Sequence, residues 1–383
     1  MAKKTIKLTG QNKQTLKFLE KLPYKTPYLV IDTQRIASTY QDFSKLMPKF
    51  DIHYAVKCNP AEPILRILHQ NGSKFEIAAY GELERLIKIG IDPKTVIYSN
   101  TVKPAEHIKA AFNKGVKQYA FDSAEELEKL SIYAPNSEVC LRVFVDNLGS
   151  LVNLSSKFGA HHKDAVSLMV RAQKLGLQPI GLTFHVGSQS EKLSPWDNAM
   201  KLMKSIRNEL EAKNIYITKL NIGGGFPIQY ADKLPSIEKI TQIIHKSLEK
   251  HKLNDLVLQC EPGRYLVGES GIIGATIIGK VARQNRDWIY LDVGRFQAFV
   301  EMFESEGLRY PLLSSKDFGL RVKTKKYTIT GPSCDSYDTI MSNVVLPSNL
   351  EIGDKVYFLS AGSYTTVYGA PFNDFPVPQQ EFI

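Results

Sequence analysis

The 383-residue chain is poor in cysteine: Cys58, Cys140, Cys260 and Cys334 lie far apart, with no CxxC pair. That scatter suits free thiols in a reducing cytoplasm better than a disulfide framework. Long apolar runs are missing too. The longest candidate, "GIIGATIIGKVA", is short and glycine-rich, so no membrane span is expected. The first residues, "MAKKTIKLTGQNKQTLKFLEK", have lysines but no apolar stretch or small-residue cleavage site, and no signal peptide is expected. The sequence contains no internal repeat, no low-complexity tract and no zinc-finger, RRM or KH signature. Its net charge of +10 is the one hint of a nucleic-acid partner. The lysines, however, alternate with acids in amphipathic stretches such as "EKITQIIHKSLEKHK", which is the pattern of a solvated surface. Neither nucleic acid nor membrane is expected as a partner.

What is present is an alternation of two periods. Strand-like runs "DIHYAVK", "SKFEIAA", "TVIYSN", "QYAFDS", "EVCLRVFV", "GLTFHVG", "KLNIGG" and "LVLQCEPG" are separated by stretches with apolar residues at helical spacing, such as "AEPILRILHQNG" and "SAEELEKLSIYA". Ser123 stands where a helix cap belongs. Eight such repeats predict an α/β fold, a closed (β/α)8 barrel over residues 32–270. A doubly wound open sheet is the alternative, but no GxGxxG follows the first strand. Beyond residue 270, "GATIIGKVA", "RDWIYLDVG", "LRVKTKKYTITG" and "DKVYFLSAGSYTT" read as strands with little helix between them. A β-rich domain over 271–383 is expected, with 1–31 joining it through "PYLVIDT".

Barrel enzymes keep their chemistry at the C-terminal ends of the strands. Those ends hold Lys57, Glu76, Arg142, His185 with Gly187 and Ser188, Gly223–Gly225, then Glu261, Gly263 and Arg264. Taken singly, each has an ordinary reading. Lys57 can be a solvated loop lysine, His185 a structural histidine, "GGGFP" a tight turn and "EPGR" a surface ion pair. Together they are the parts that hold pyridoxal phosphate. A lysine in a dry pocket can form an imine with a carbonyl, and consecutive glycines can offer backbone N–H groups to a phosphate. A carboxylate can keep a pyridine nitrogen protonated so that the ring accepts electrons.

Seven motifs in order, "YAVKCNP", "LSSKFG", "FHVGSQ", "IGGGFP", "EPGRYLV", "GPSCDSYD" and "GSYTTVYGAPFNDF", resemble those of the alanine-racemase-type (fold type III) pyridoxal-phosphate decarboxylases, in the ornithine decarboxylase branch. The resemblance covers the chain from about residue 27 to its end. It implies pyridoxal 5'-phosphate as cofactor, bound to Lys57 as an imine, with His185 stacked on the ring and Glu261 on the pyridine nitrogen. Ser188, Gly223, Gly224, Gly225, Gly263, Arg264 and Tyr364 would hold the phosphate region, and Glu76 and Arg142 would line the cofactor. Cys334 would return a proton to Cα after carbon dioxide leaves. Asp335 would bind the distal ammonium of the substrate, with Tyr364 and Phe372 nearby. The family works as a head-to-tail homodimer in which the cysteine and aspartate reach the partner's barrel, and Lys157 and Asp338 resemble its bridging pair.

Three departures stand out. Glu76 and Asn221 each occupy positions where aspartate is frequent. The second acid for the distal amine falls in "FVEMFESEG", where Glu304 matches best after a one-residue shift and Glu301 and Glu306 are the alternatives. The "RPALY"-like segment and Cys-Glu pair expected for diaminopimelate are absent. L-Ornithine, giving putrescine and carbon dioxide in polyamine biosynthesis, is therefore the first substrate, lysine the second and arginine the third. One methylene changes binding by only about 1–3 kcal/mol. Two other classes compete with this reading. A racemase would need two bases across Cα, and a non-enzymatic regulatory relative should lack Lys57, Cys334 or the glycine cradle.

Overall fold

In the computed structural model, which describes residues 17–152, 157–230, 234–305, 307–317 and 323–383, the chain divides into two units. One spans Thr33–Gly268; the other joins the described residues before Thr33 to Glu269–Ile383. The first strand, β1 (Tyr28–Ile31), belongs to the second unit.

The Thr33–Gly268 unit opens with helix α1 (Thr33–Leu46) and continues β2 (Phe50–Ala55), α2 (Glu62–Gln70), β3 (Lys74–Ile77), α3 (Tyr80–Lys88), β4 (Ile97–Tyr98), α4 (Ala105–Lys114) and β5 (Gln118–Phe121). It goes on with α5 (Ala124–Tyr133), β6 (Glu138–Arg142), α6 (His162–Lys174), β7 (Gln178–Thr183), α7 (Ser194–Glu211), β8 (Lys219–Asn221), α8 (Ile237–Lys250) and β9 (Val257–Cys260). Strands β2–β9 pair in chain order, all parallel, and β9 returns to β2, closing an eight-stranded barrel. The expected (β/α)8 fold is present. Helix–strand alternation follows from the sequence in a simple way. In α8 the residues Ile240, Ile244 and Leu248 recur every fourth position and are all buried, while Glu238, Lys246 and Lys250 take the other side. Each such side chain contributes about 1.5–3 kcal/mol relative to an exposed one. Ser123 caps α5, its hydroxyl accepting from the Glu126 N–H at 3.2 Å.

The barrel interior is not wholly apolar. His53, Gln118 and Gln259 are buried, and the two glutamines exchange hydrogen bonds at 2.9 and 3.3 Å. Lys219 reaches Gln118 at 3.0 Å and Glu138 at 2.8 Å. These groups satisfy one another, as buried polar atoms must.

The second unit is a mixed eight-stranded sheet. Its strands are β1, β10 (Gly271–Arg283), β11 (Arg286–Leu291), β12 (Leu312–Ser314), β13 (Thr324–Thr330), β14 (Thr339–Pro347), β15 (Lys355–Phe358) and β16 (Gln379–Phe382). The spatial order is β12-β15-β10-β11-β13-β14, with β1 antiparallel to β10 and parallel to β16. Leu19, Tyr28, Val30, Leu313 and Tyr357 form one of its core clusters. The hairpin between β13 and β14 carries "GPSCDSYD".

Candidate active site

Lys57 has left the strand. β2 ends at Ala55, and Val56–Cys58 forms a single 3-10 turn that lifts the lysine out of the ladder. Gly263 makes room for this turn, since a Cβ there would lie 2.9 Å from the Cys58 Cβ. The Lys57 side chain is 44% exposed. Its ammonium nevertheless ion-pairs with Glu76 on β3, whose side chain is buried. Part of the side chain is open to solvent, while the amine itself is densely surrounded. Burial by itself would lower the Lys57 pKa, but the charges of Glu76, Glu261 and Glu82 outweigh it and hold the amine above its ordinary value. Glu76 moves up to about 7: burial raises it most, Lys57 opposes, and the neighbouring Glu261 and Glu82 carboxylates add to the rise.

Glu261 follows β9. Its Oε1 accepts from the Ser99 hydroxyl and from Asn221 Nδ2, both at 2.6 Å, and no donor reaches Oε2 among the described residues. The same asparagine accepts the Gly223 N–H at 2.9 Å. His185, after β7, accepts the Gly187 N–H on Nδ1 at 3.0 Å. A nitrogen that accepts carries no proton, so the remaining proton of the neutral ring is on Nε2. Burial, with Arg142 and Lys57 nearby, pushes the His185 pKa well below its usual range. Burial likewise lowers Arg142, against the pull of Glu261 and Asp122; its guanidinium lies 5.0 Å from the Phe158 ring.

The glycine run forms a close-packed floor. A Cβ on Gly224 would meet the Glu261 carbonyl oxygen at 2.6 Å and His185 Nε2 at 3.1 Å. Gly225 has φ +100°, which side chains rarely adopt. Beside it, the buried Arg264 directs Nη2 and Nε at Ser188 Oγ (3.1 and 3.4 Å) and Nη1 at the Tyr230 hydroxyl (2.8 Å). Guanidinium, hydroxyl and a glycine backbone suit a phosphate. An amine among carboxylates suits an aldehyde, and a carboxylate with one oxygen spare suits a protonated ring nitrogen. These residues fit pyridoxal 5'-phosphate.

In the second unit, Cys334 is exposed on the β13–β14 hairpin, and its N–H and Sγ both donate to Asn373 Oδ1, at 3.2 and 3.4 Å. Asp335 is partly buried and accepts the Tyr337 N–H at 2.8 Å. Tyr364 has φ +52° and stacks on Tyr368, and the Phe372 ring lies 4.5 Å from that of Phe296. Glu304 is exposed and Glu301 buried on the one-turn helix Glu301–Glu304, whereas Glu306 lies outside the described residues. Lys157 is exposed, 5.0 Å from the Phe158 ring; Leu154–Ser156 of its motif lie outside the described residues.

Asp338 is fully buried, and its oxygens accept the Arg295 and Ser333 N–H groups at 2.7 and 3.0 Å. These two bonds anchor the hairpin from inside.

Sequence reasoning missed Ser99, Tyr230, Glu82 and the bridging role of Asn221. Ser99 was findable, because it follows β4 as the other site residues follow their strands. Tyr230 has no spacing signal linking it to Arg264.

Comparison with known proteins agrees with this geometry. The family described as "Pyridoxal-dependent decarboxylase, pyridoxal binding domain" matches residues 33–268. A lysine/ornithine decarboxylase of Selenomonas ruminantium is 35% identical over 373 residues, covering 97% of this chain and 92% of the relative. The arginine decarboxylase of Paramecium bursaria Chlorella virus, solved with agmatine, superposes with a TM-score of 0.90 at 28% identity, over 97% of this chain and 100% of that one. A lysine/ornithine decarboxylase of Vibrio vulnificus, solved with putrescine, gives 0.87 at 27% identity, over 98% and 99%. A closed parallel barrel that gathers an amine, a phosphate cradle and a ring carboxylate, together with these matches, makes the chain a member of the pyridoxal-phosphate-dependent decarboxylases of basic amino acids.

Proposed function

We propose that the protein decarboxylates L-ornithine to putrescine, with L-lysine as its second substrate. The observation that carries the reading is the convergence of Lys57, Glu76, Glu261, His185, Ser188 and Arg264 on one barrel rim. Pyridoxal 5'-phosphate, when bound, supplies an electron sink for the pair left at Cα as carbon dioxide departs. Ser188, Arg264 and the Gly223–Gly225 backbone would hold its phosphate. The neutral imidazole of His185 presents a flat face to the ring without adding charge. Glu261, whose Oε1 is already taken by Ser99 and Asn221, would hold the proton on the ring nitrogen. Lys57 Nζ would supply the amine for the aldehyde carbon, and Glu76, ion-paired with it, would take and return the proton when that amine changes charge.

On the second unit, Cys334 Sγ carries the proton for Cα, and the Asn373 contact orients the thiol. Asp335 attracts the distal ammonium, with an acid of the Glu301–Glu304 helix beside it. Asp335 is partly exposed, and local acids are needed because the chain as a whole is basic. These groups act on the barrel of a second copy in a homodimer. The lysine reading draws support from the Selenomonas relative, whose name includes both substrates.

The test is carbon dioxide release from L-ornithine, L-lysine, L-arginine and meso-diaminopimelate with added cofactor. Ornithine should give the highest kcat/KM, with lysine within about 200-fold of it, the span one methylene allows. Faster turnover of lysine or arginine would reverse the order.

A further inference from the structure

We infer that Asn221 makes the aim of Glu261 independent of pH: its neutral amide supplies a hydrogen-bond donor that an aspartate there could supply only when protonated. The inference rests on the reading that Glu261 Oε2 meets the ring nitrogen. Asn221 ends β8 and is 2% exposed. Its oxygen must be the atom facing the Gly223 N–H, because that group can only donate, and this turns Nδ2 toward Glu261. One side chain thus ties the glycine floor to the ring carboxylate. Ser99 adds a second donor to the same Oε1, which leaves Oε2 as the oxygen for the ring.

An aspartate in this place could still accept from Gly223, but its other oxygen would stand against Oε1. Two carboxylates at such range hold together only while they share a proton, and they repel when it is lost. The charged and titratable groups facing Glu261 are Lys57 on the turn after β2, Glu76 on β3, Arg142 and Cys140 on β6, and Cys260 on β9. Of the two cations in that set, Lys57 is already paired with Glu76 and the Arg142 guanidinium lies 5.0 Å from the Phe158 ring. The amide needs no shared proton.

The experiment compares wild type, Asn221→Asp and Asn221→Ala as holoenzymes. It reads kcat against pH, the visible spectrum against pH, and the pyridoxal phosphate dissociation constant from absorbance titration of apoprotein. Asn221→Asp should keep cofactor affinity within about threefold, because Gly223 stays anchored, and should gain a descending alkaline limb of about tenfold in kcat with a matching spectral transition. Asn221→Ala should weaken cofactor binding about tenfold and lower kcat with no new limb. An Asn221→Asp profile that superimposes on wild type, or unchanged cofactor affinity in Asn221→Ala, overturns the inference. Glu261→Gln separates the two claims. If its turnover is intact, the placement of Glu261 at the ring nitrogen fails. If its turnover is lost while Asn221→Asp behaves as wild type, only the role of Asn221 fails.

Discussion

His53, on β2, has both ring nitrogens engaged: Nδ1 lies 3.4 Å from the Phe75 carbonyl and Nε2 3.4 Å from Gln259 Nε2. A carbonyl needs a proton on Nδ1 and an amide NH2 needs a bare Nε2, so the site fits only the neutral ring. Burial lowers its pKa to about 4, with Lys74 and Lys219 assisting and the Phe75 carbonyl and Asp51 opposing. Below the ordinary value of 6.5 the unfolded chain takes up a proton that the fold refuses. The stabilisation is therefore complete above about 6.5 and is lost as pH falls toward 4, on the order of 3 kcal/mol at most. His53→Gln should remove this portion. Its melting temperature should fall less than that of wild type between neutral pH and the low end of the window, and equal losses would show that His53 is not the sensor. Lys57 teaches a second lesson at this scale. Its place after a strand was legible in "HYAVKCNP". Its pairing was not, because a partner 19 residues away has no mark in local sequence.

Among the elements, the eight barrel strands were legible because each is an apolar run bounded by turn residues, and the helices because their buried positions recur with the helical period. The β13–β14 hairpin was less so. Its motif pointed to Cys334 and Asp335, but the burial of Asp338 beneath Gly294 and Gly331 is a property of two backbones meeting, and no residue type announces it. The glycine loop after β8 lies between these cases. Three glycines suggested a cradle, and the structure adds why the middle one cannot grow. Gly224→Ala would press a methyl against the Glu261 carbonyl oxygen, 2.6 Å away, in a loop that cannot retreat without moving His185. Cofactor affinity should drop about tenfold or more, an overpacking cost of about 1–3 kcal/mol, measured by titrating apoprotein with pyridoxal phosphate. Retained affinity would mean that the loop yields freely.

At the scale of the whole molecule, the proposed chemistry divides between Lys57 in the barrel unit and Cys334 in the sheet unit. If a second copy completes each site, Lys57→Ala and Cys334→Ala proteins should each be nearly inactive alone. Mixed and allowed to exchange subunits, they should regain activity, because a heterodimer has one site with both residues intact. About a quarter of wild-type turnover is the statistical ceiling for random exchange. Absence of recovery, with exchange confirmed by mass, would place both residues in one chain's own site.

The four thiols also differ sharply in access. Cys58, Cys140 and Cys260 are buried, and burial pushes Cys140 up to about 12 and Cys260 well above the usual thiol range, while Cys334 stands on an exposed hairpin. An alkylating reagent such as iodoacetamide should therefore modify the native chain once, on the peptide carrying Cys334, and extinguish amine production in step with that single adduct. The same asymmetry makes air oxidation of stored protein a one-residue lesion that a thiol reductant reverses at its first stage.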